Sequence, residues 1–139
     1  MYSTIVVGTD GSPTAEIAVN RAAEIATLSG ARLHVLSSYA PAAAHVVGGG
    51  GEYAVGADYK ADAVLERTMD ALRGNGIQVE QHAPKGDPGD AIVELARQVE
   101  ADLVIVGSRG MQGARRLLGS VPNKVSHSAP CDVLIVQTT

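Results

Sequence analysis

The sequence has no tryptophan and no phenylalanine; its aromatic side chains are four tyrosines. Its core must therefore be built from alanine, valine, isoleucine and leucine, which suits closely stacked helices and strands better than an aromatic-lined cavity. With 139 residues and 45% hydrophobic residues, the chain is long enough for one domain with a sizeable core. There is a single cysteine, Cys131, which excludes an internal disulfide and fits a cytoplasmic setting. No apolar run approaches the ~20 residues of a membrane span. Met1–Thr14 lacks the basic region and apolar stretch of a signal peptide, so no membrane partner is expected. The formal net charge is −4, where a nucleic-acid binder would show a broad basic face. Residues with reactive chemistry are few. His34, His45, His82 and His127 show no metal-ligand spacing and are expected to be solvated or packed, so no metal site is predicted. Cys131 lacks a CxxC partner and is expected as a buried structural thiol, and Ser120 lacks a G-x-S-x-G setting for a nucleophile.

Taken in order, the chain alternates strand and helix. Ser3–Val7 is a β-branched first strand ending in the turn Gly8-Thr9-Asp10-Gly11. Ser12-Pro13 supplies a capping hydroxyl and a proline at the first helical position. The helix runs to about Ser29 on Ile17, Ala18, Ala22, Ile25 and Ala26, with Gly30 as its stop. Ala31–Ser38 is the second strand. Pro41–Ala57 holds four consecutive glycines and no clean period, and is predicted as a loop. Asp58–Arg73 returns to helical spacing, and Ile77–Ala83 alternates as a half-polar edge strand. Asp87-Pro88 repeats the cap-and-proline signal before a helix that buries Ile92, Leu95, Ala96 and Val99. Leu103–Val106 is the fourth strand, Ser120 to about Ser128 a short helix, and Val133–Val136 the fifth strand. This pattern predicts an α/β fold, one domain over residues 1–139: an open five-stranded parallel sheet with helices on both faces. Right-handed crossovers allow strands 1 and 4 to lie side by side, in the order 3-2-1-4-5. The turn after strand 1 and the loop after strand 4 would then face one crevice at the point where strand order reverses.

That loop, Gly107–Val121, is the most informative stretch. It holds four glycines and three arginines, and between Leu103 and Cys131 there are four basic residues (Arg109, Arg115, Arg116, Lys124) and no acidic one. A glycine-rich, locally cationic loop between a strand and a helix presents backbone N–H groups to phosphate. It is not a P-loop, because Gly113 to Gly119 has the wrong spacing and no lysine precedes Ser120; nor is the first turn G-x-G-x-x-G.

The start Val7-Gly8-Thr9-Asp10-Gly11-Ser12, the loop Gly107-x2-Gly110-x8-Gly119-Ser120-Val121 and the ending Ala129-Pro130-Cys131-Asp132-Val133-Leu134-Ile135-Val136 resemble the universal stress protein family, in its ATP-binding branch. The likeness covers nearly the whole chain outside Pro41–Ala57. It implies a Rossmann-like fold of the adenine nucleotide alpha hydrolase kind. It also implies a regulatory protein of the stress response that binds ATP or a related nucleotide such as AMP or cAMP, with Mg²⁺ possible beside ATP. By that resemblance Asp10 contacts adenine or ribose, with Gly8 and Thr9 in the same turn. The backbone of Val35 pairs with the adenine edge, and Val106 and Gly107 lie beside the ribose. Gly110, Gly119, Ser120 and Val121 surround the phosphates. One or two of Arg109, Arg115 and Arg116 can pair with phosphate. The chain departs from the family in two places: eight residues separate Gly110 from Gly119 where nine are usual, and Pro122 stands where Ser or Thr is frequent. Each position also has a plainer role: Asp10 as a turn cap, Val35 as core, Ser120 as a helix cap, the arginines as surface charge. A weak ATP-hydrolysing enzyme and a nucleotide-independent interaction module are the alternative functions. The last strand is apolar and proline-free, and would lie at a sheet edge; pairing it with a second copy through residues 133–136 predicts a homodimer.

Overall fold

A computed structural model describes residues 1–39, 52–108 and 119–138. Five parallel strands form one sheet: β1 (Thr4–Gly8), β2 (Arg32–Leu36), β3 (Val79–His82), β4 (Leu103–Gly107) and β5 (Asp132–Val136). Their order is β3-β2-β1-β4-β5, as expected from the sequence. Parallel neighbours need crossovers, and here these carry the helices α1 (Pro13–Ser29), α2 (Glu52–Leu72), α3 (Pro88–Gln98) and α4 (Ser120–Ser128). The register sets Val7 against Val35 on one side and against Ile105 on the other. An aspartate just before β4 fastens the start of β1: the Asp102 carboxylate accepts the N–H groups of Ser3 and Thr4 at 2.9 and 3.0 Å. The second and third strands, Arg32–Leu36 and Val79–His82, are shorter than the expected Ala31–Ser38 and Ile77–Ala83.

Alternation along the strands sends side chains into two cores. Ile5, Val7, Leu33, Val35 and Ile105 face the layer of α1 and α2. Val6, Leu36, Val104 and Val106 face α3 and α4, where Ile92, Ala96 and Val125 cover them. The close face of α1 is a stripe of small residues, with Ala18, Ala22 and Ala26 fully buried. Ile17, expected on that face, is 42% exposed instead; Val19 and Ala23 complete the stripe. Periodicity put the buried stripe about one position off, because only contact with the sheet decides which side of an alanine-rich helix is closest.

The helix boundaries follow local chemistry. Ser12 Oγ accepts the Ala15 N–H at 3.2 Å and Pro13 opens α1. Gly30 closes it with φ +70°, in the left-handed region that glycine adopts without strain, and the Ala31 N–H reaches the Ala26 carbonyl. Asp87 caps α3 by accepting the Asp90 N–H at 3.0 Å, followed by Pro88. The predicted loop over 41–57 is corrected at its end: α2 begins at Glu52, six residues earlier than the sequence suggested. A lone glycine, Gly56, costs only about 1 kcal/mol against alanine in a helix, too little to stop one that runs on for several turns. No helix among the described residues is long and apolar enough to cross a membrane.

Two expectations follow from this packing. Ala22→Leu places three extra carbons against a fully buried face and is expected to cost about 1–3 kcal/mol, read as a lower urea midpoint at unchanged slope. Asp87→Ala removes the α3 cap and is expected to cost about 1 kcal/mol. The bond from the Asp90 N–H, chiefly, with Lys124 assisting, holds the Asp87 carboxyl below its usual value. Its contribution is therefore complete above the ordinary carboxylate range and is lost as pH falls through the lowered folded value. Urea titrations of both proteins along an acid series should show their difference shrinking in that direction.

Candidate functional site

A cleft of about 430 Å³ opens at the carboxyl ends of the strands, where β1 and β4 part and strand order reverses. Its size falls in the range of small-molecule sites. One wall is the end of β1: Gly8, Thr9 and Asp10. Gly8 is there because α3 comes close; a Cβ on it would lie 2.6 Å from Ile92 Cδ1, and Ile92 itself lines the cleft. The turn beyond is tied down by short-range bonds. Thr9 is buried; its N–H donates to the Leu36 carbonyl at 2.9 Å and its Oγ1 accepts the Gly11 N–H at 3.1 Å. Asp10 is exposed, with Oδ1 accepting the Ser12 N–H at 2.9 Å. It thus caps the turn and faces the cleft at once.

The opposite wall is built from the ends of β4, β5 and α4. A Cβ on Gly107 would lie 3.1 Å from Thr138 Cγ2, so the segment after β5 packs directly on that glycine. Ser108, 1% exposed, holds it there: its N–H donates to the Val136 carbonyl at 2.8 Å and its Oγ accepts the Thr138 N–H at 3.0 Å. Gly119 is the N-cap of α4 and Ser120 its first residue, one position on from the cap role considered for it. The reason is in the backbone, since the first helical bond runs from the Asn123 N–H to the Gly119 carbonyl. Among the described residues no side chain caps this end, and helix geometry leaves the N–H groups of Ser120 and Val121 without an intrahelical acceptor. Pro122, buried in the cleft wall, has no N–H to add. The start of α4 is positioned by Lys124, whose Nζ lies 3.1 Å from Asp90 and 3.2 Å from Asp87 at the start of α3. Those two carboxylates, Asp90 first, raise the Lys124 pKa and keep it charged.

Eight of the expected residues therefore line one cleft: Gly8, Thr9, Asp10, Val106, Gly107, Gly119, Ser120 and Val121. Arg109 and Gly110, with Arg115 and Arg116, lie outside the described residues. Val35 is not brought to the cleft. Its side chain is fully buried in the α1 and α2 core and its backbone sits mid-sheet between Val7 and Gln81. The strand alternation that turns Val35 away turns Leu36 toward α3, and Leu36 and Ser38 line the cleft in its place. Thr14, Ala15 and Pro88 also line it; they open α1 and α3, whose N-termini must lie at the carboxyl edge of a parallel sheet, so the pattern contained that signal. Thr138 had no such signal, because only the bond to Ser108 brings it in. Cys131 is half-buried rather than buried, and desolvation, chiefly, raises its thiol pKa. Away from the cleft, His34 and His82 meet across β2 and β3 with Nδ1 and Nε2 2.9 Å apart, a pairing that spacing along the chain did not reveal.

Comparison with known proteins is consistent along the whole chain. A universal stress protein of Mycobacterium tuberculosis, Rv1636, is 42% identical over 144 aligned positions, covering 99% of this chain and 98% of its own. A universal stress protein solved in complex with cAMP is 39% identical, with a TM-score of 0.77 over 99% of this chain and 98% of that one. The universal stress protein of Archaeoglobus fulgidus in complex with dAMP is 28% identical, with a TM-score of 0.73 over 97% of this chain and 98% of that one. The family model for universal stress proteins matches residues 1–137, and with the parallel order β3-β2-β1-β4-β5 and its Rossmann-like layering the chain belongs to the universal stress protein family.

Proposed function

We propose that the cleft between the ends of β1 and β4 binds an adenine nucleotide, and that the protein acts through that binding as a regulator in the stress response. The observation that carries this reading is the cleft itself. A helix end whose first N–H groups (Ser120, Val121) no described side chain caps stands across from the Thr9–Asp10 turn, with apolar Leu36, Ile92 and Val106 between. Such a helix end suits a phosphate, a carboxylate suits ribose hydroxyls or the adenine amino group, and the apolar floor suits a base. Two relatives that cover the same length were solved with cAMP and with dAMP, both monophosphates of adenine nucleosides. Pro122 removes one N–H from the first turn of α4, so a monophosphate such as AMP or cAMP is expected to bind at least as well as ATP. Mg²⁺, where ATP binds, would be carried by the phosphates, since one carboxylate is a poor site for it. Asp10 is the one ionisable side chain among the described residues of the cleft. That lining offers no histidine, lysine or second carboxylate as a general base, so binding rather than turnover is the reading adopted.

The edge position of β5 supports pairing with a second copy through residues 133–136. Val133, Leu134 and Ile135 are each only part-buried, and an apolar edge strand without proline is an association hazard unless covered. A two-fold dimer covers both copies at once.

Binding is checked by thermal melts with AMP, cAMP, ADP and ATP. At a hundredfold excess over the dissociation constant a native-state ligand stabilises by about 2.7 kcal/mol, or about 5–12 °C for a chain of this size. A flat melting temperature across all four at millimolar concentration defeats the proposal. Ser120→Glu sets a carboxylate on the exposed first residue of α4, which suits a helix N-terminus but opposes phosphate. The variant should melt no lower than the parent while its nucleotide affinity falls tenfold or more. Light scattering at micromolar concentration should give twice the chain mass, and a monomer there contradicts pairing through β5.

A further inference from the structure

The polar face of β2 and β3 carries chemistry that the cleft does not use. The two strands pair in parallel with His34 opposite Glu80 and Leu36 opposite His82. Residues two apart on a strand share a face, so Glu80 and His82 stand side by side with His34 across from them. The result is a cluster of three metal-ligating groups on neighbouring strands. His34 Nδ1 lies 2.9 Å from His82 Nε2 and 3.7 Å from Glu80 Oε2. The three donor atoms all fall within 4.8 Å of one another. Ligands of a tetrahedral zinc ion, bound at about 2.0–2.2 Å, are about 3.4 Å apart. The two distances from His34 Nδ1 bracket that value.

We infer that His34, Glu80 and His82 form a binding site for a divalent d-block cation of the zinc class, with a fourth position left to water. The donor set selects the metal: two imidazoles and one carboxylate suit zinc and its neighbours, whereas Mg²⁺ and Ca²⁺ prefer oxygen alone. The graded exposure suits an accessible site on a rigid base. His34 is 4% exposed and held by the sheet, while the Glu80 side chain is 57% exposed on an edge strand. In the metal-free protein one of the two facing nitrogens carries the hydrogen of their bond. Cation entry puts that ring in its other neutral tautomer, with no net loss of a proton. The next rung is closed off by Arg32 donating to Gln78 Oε1 at 3.0 Å, which keeps the guanidinium engaged beside the site. The hollow on this face shares no lining residue with the cleft at the strand ends, so the two sites stand or fall separately.

The test is isothermal titration of the untagged full chain with ZnCl₂ and, in parallel, with MgCl₂, followed by visible spectra with Co²⁺ as a substitute. One Zn²⁺ per chain, no Mg²⁺ binding and the intense absorption of a four-coordinate Co²⁺ complex are expected. His82→Gln should weaken Zn²⁺ at least tenfold and Glu80→Gln several-fold. Both lie on the edge strand, and melting curves will show that the variants are folded. His127→Gln on α4 should leave binding unchanged. Absence of Zn²⁺ binding overturns the inference, as does equal Zn²⁺ affinity in His82→Gln or equal binding of Mg²⁺.

Discussion

Backbone pairing of β1 with β2 on one side and β4 on the other is the constraint on which the rest of this protein depends. A strand at the centre of a parallel sheet sends its neighbours' crossovers to opposite faces. The chain therefore leaves β1 over one layer and returns to β4 from the other, and the strand ends separate. The gap between them is the cleft. Asp102 reinforces this pairing at the opposite end of β1 by accepting both the Ser3 and Thr4 N–H groups. Because all strands run one way, every helix N-terminus arrives at the same edge. The starts of α1, α3 and α4 all contribute to the cleft, through Thr14, Pro88 and Ser120.

Small side chains let these layers approach closely enough to define a site. The alanine stripe of α1 lies flush on one face of the sheet. On the other, α3 presses Ile92 against Gly8, and the chain after β5 presses Thr138 against Gly107. Each glycine looks like a ligand-contacting residue in the sequence, and each is at least as much a place where protein packs on protein. In both the absent Cβ leaves room that a neighbouring side chain fills. The bridge from Lys124 to Asp87 and Asp90 then ties α4 to α3.

The sheet is uneven from centre to edges. Its middle strands are apolar on both faces, as parallel strands between helices must be. At β3 one face turns polar, with the rungs Arg32–Gln78 and His34–Glu80 in place of a core. At β5 the edge is apolar. Among the described residues one edge thus presents histidine and glutamate side chains and the other part-buried apolar ones.

The sequence by itself determined the alternation of strands and helices, the capped starts of α1 and α3, the two-faced parallel sheet and eight residues of the cleft. The elements rest on local physics: β-branched runs, Ser-Pro and Asp-Pro caps, and glycine stops; the cleft residues were implied by the family resemblance of the two loops. Tertiary structure alone decided the rest. It turned Val35 into the core and Leu36 into the cleft, because a strand's side chains alternate from a register that only its partners set. It moved the buried stripe of α1 off Ile17, since an alanine-rich helix has no strong preference until a sheet meets it. It made Thr138 a wall of the cleft through one serine hydroxyl. It also brought His34 and His82, 48 residues apart in the chain, to within a hydrogen bond, since adjacent parallel strands erase sequence distance.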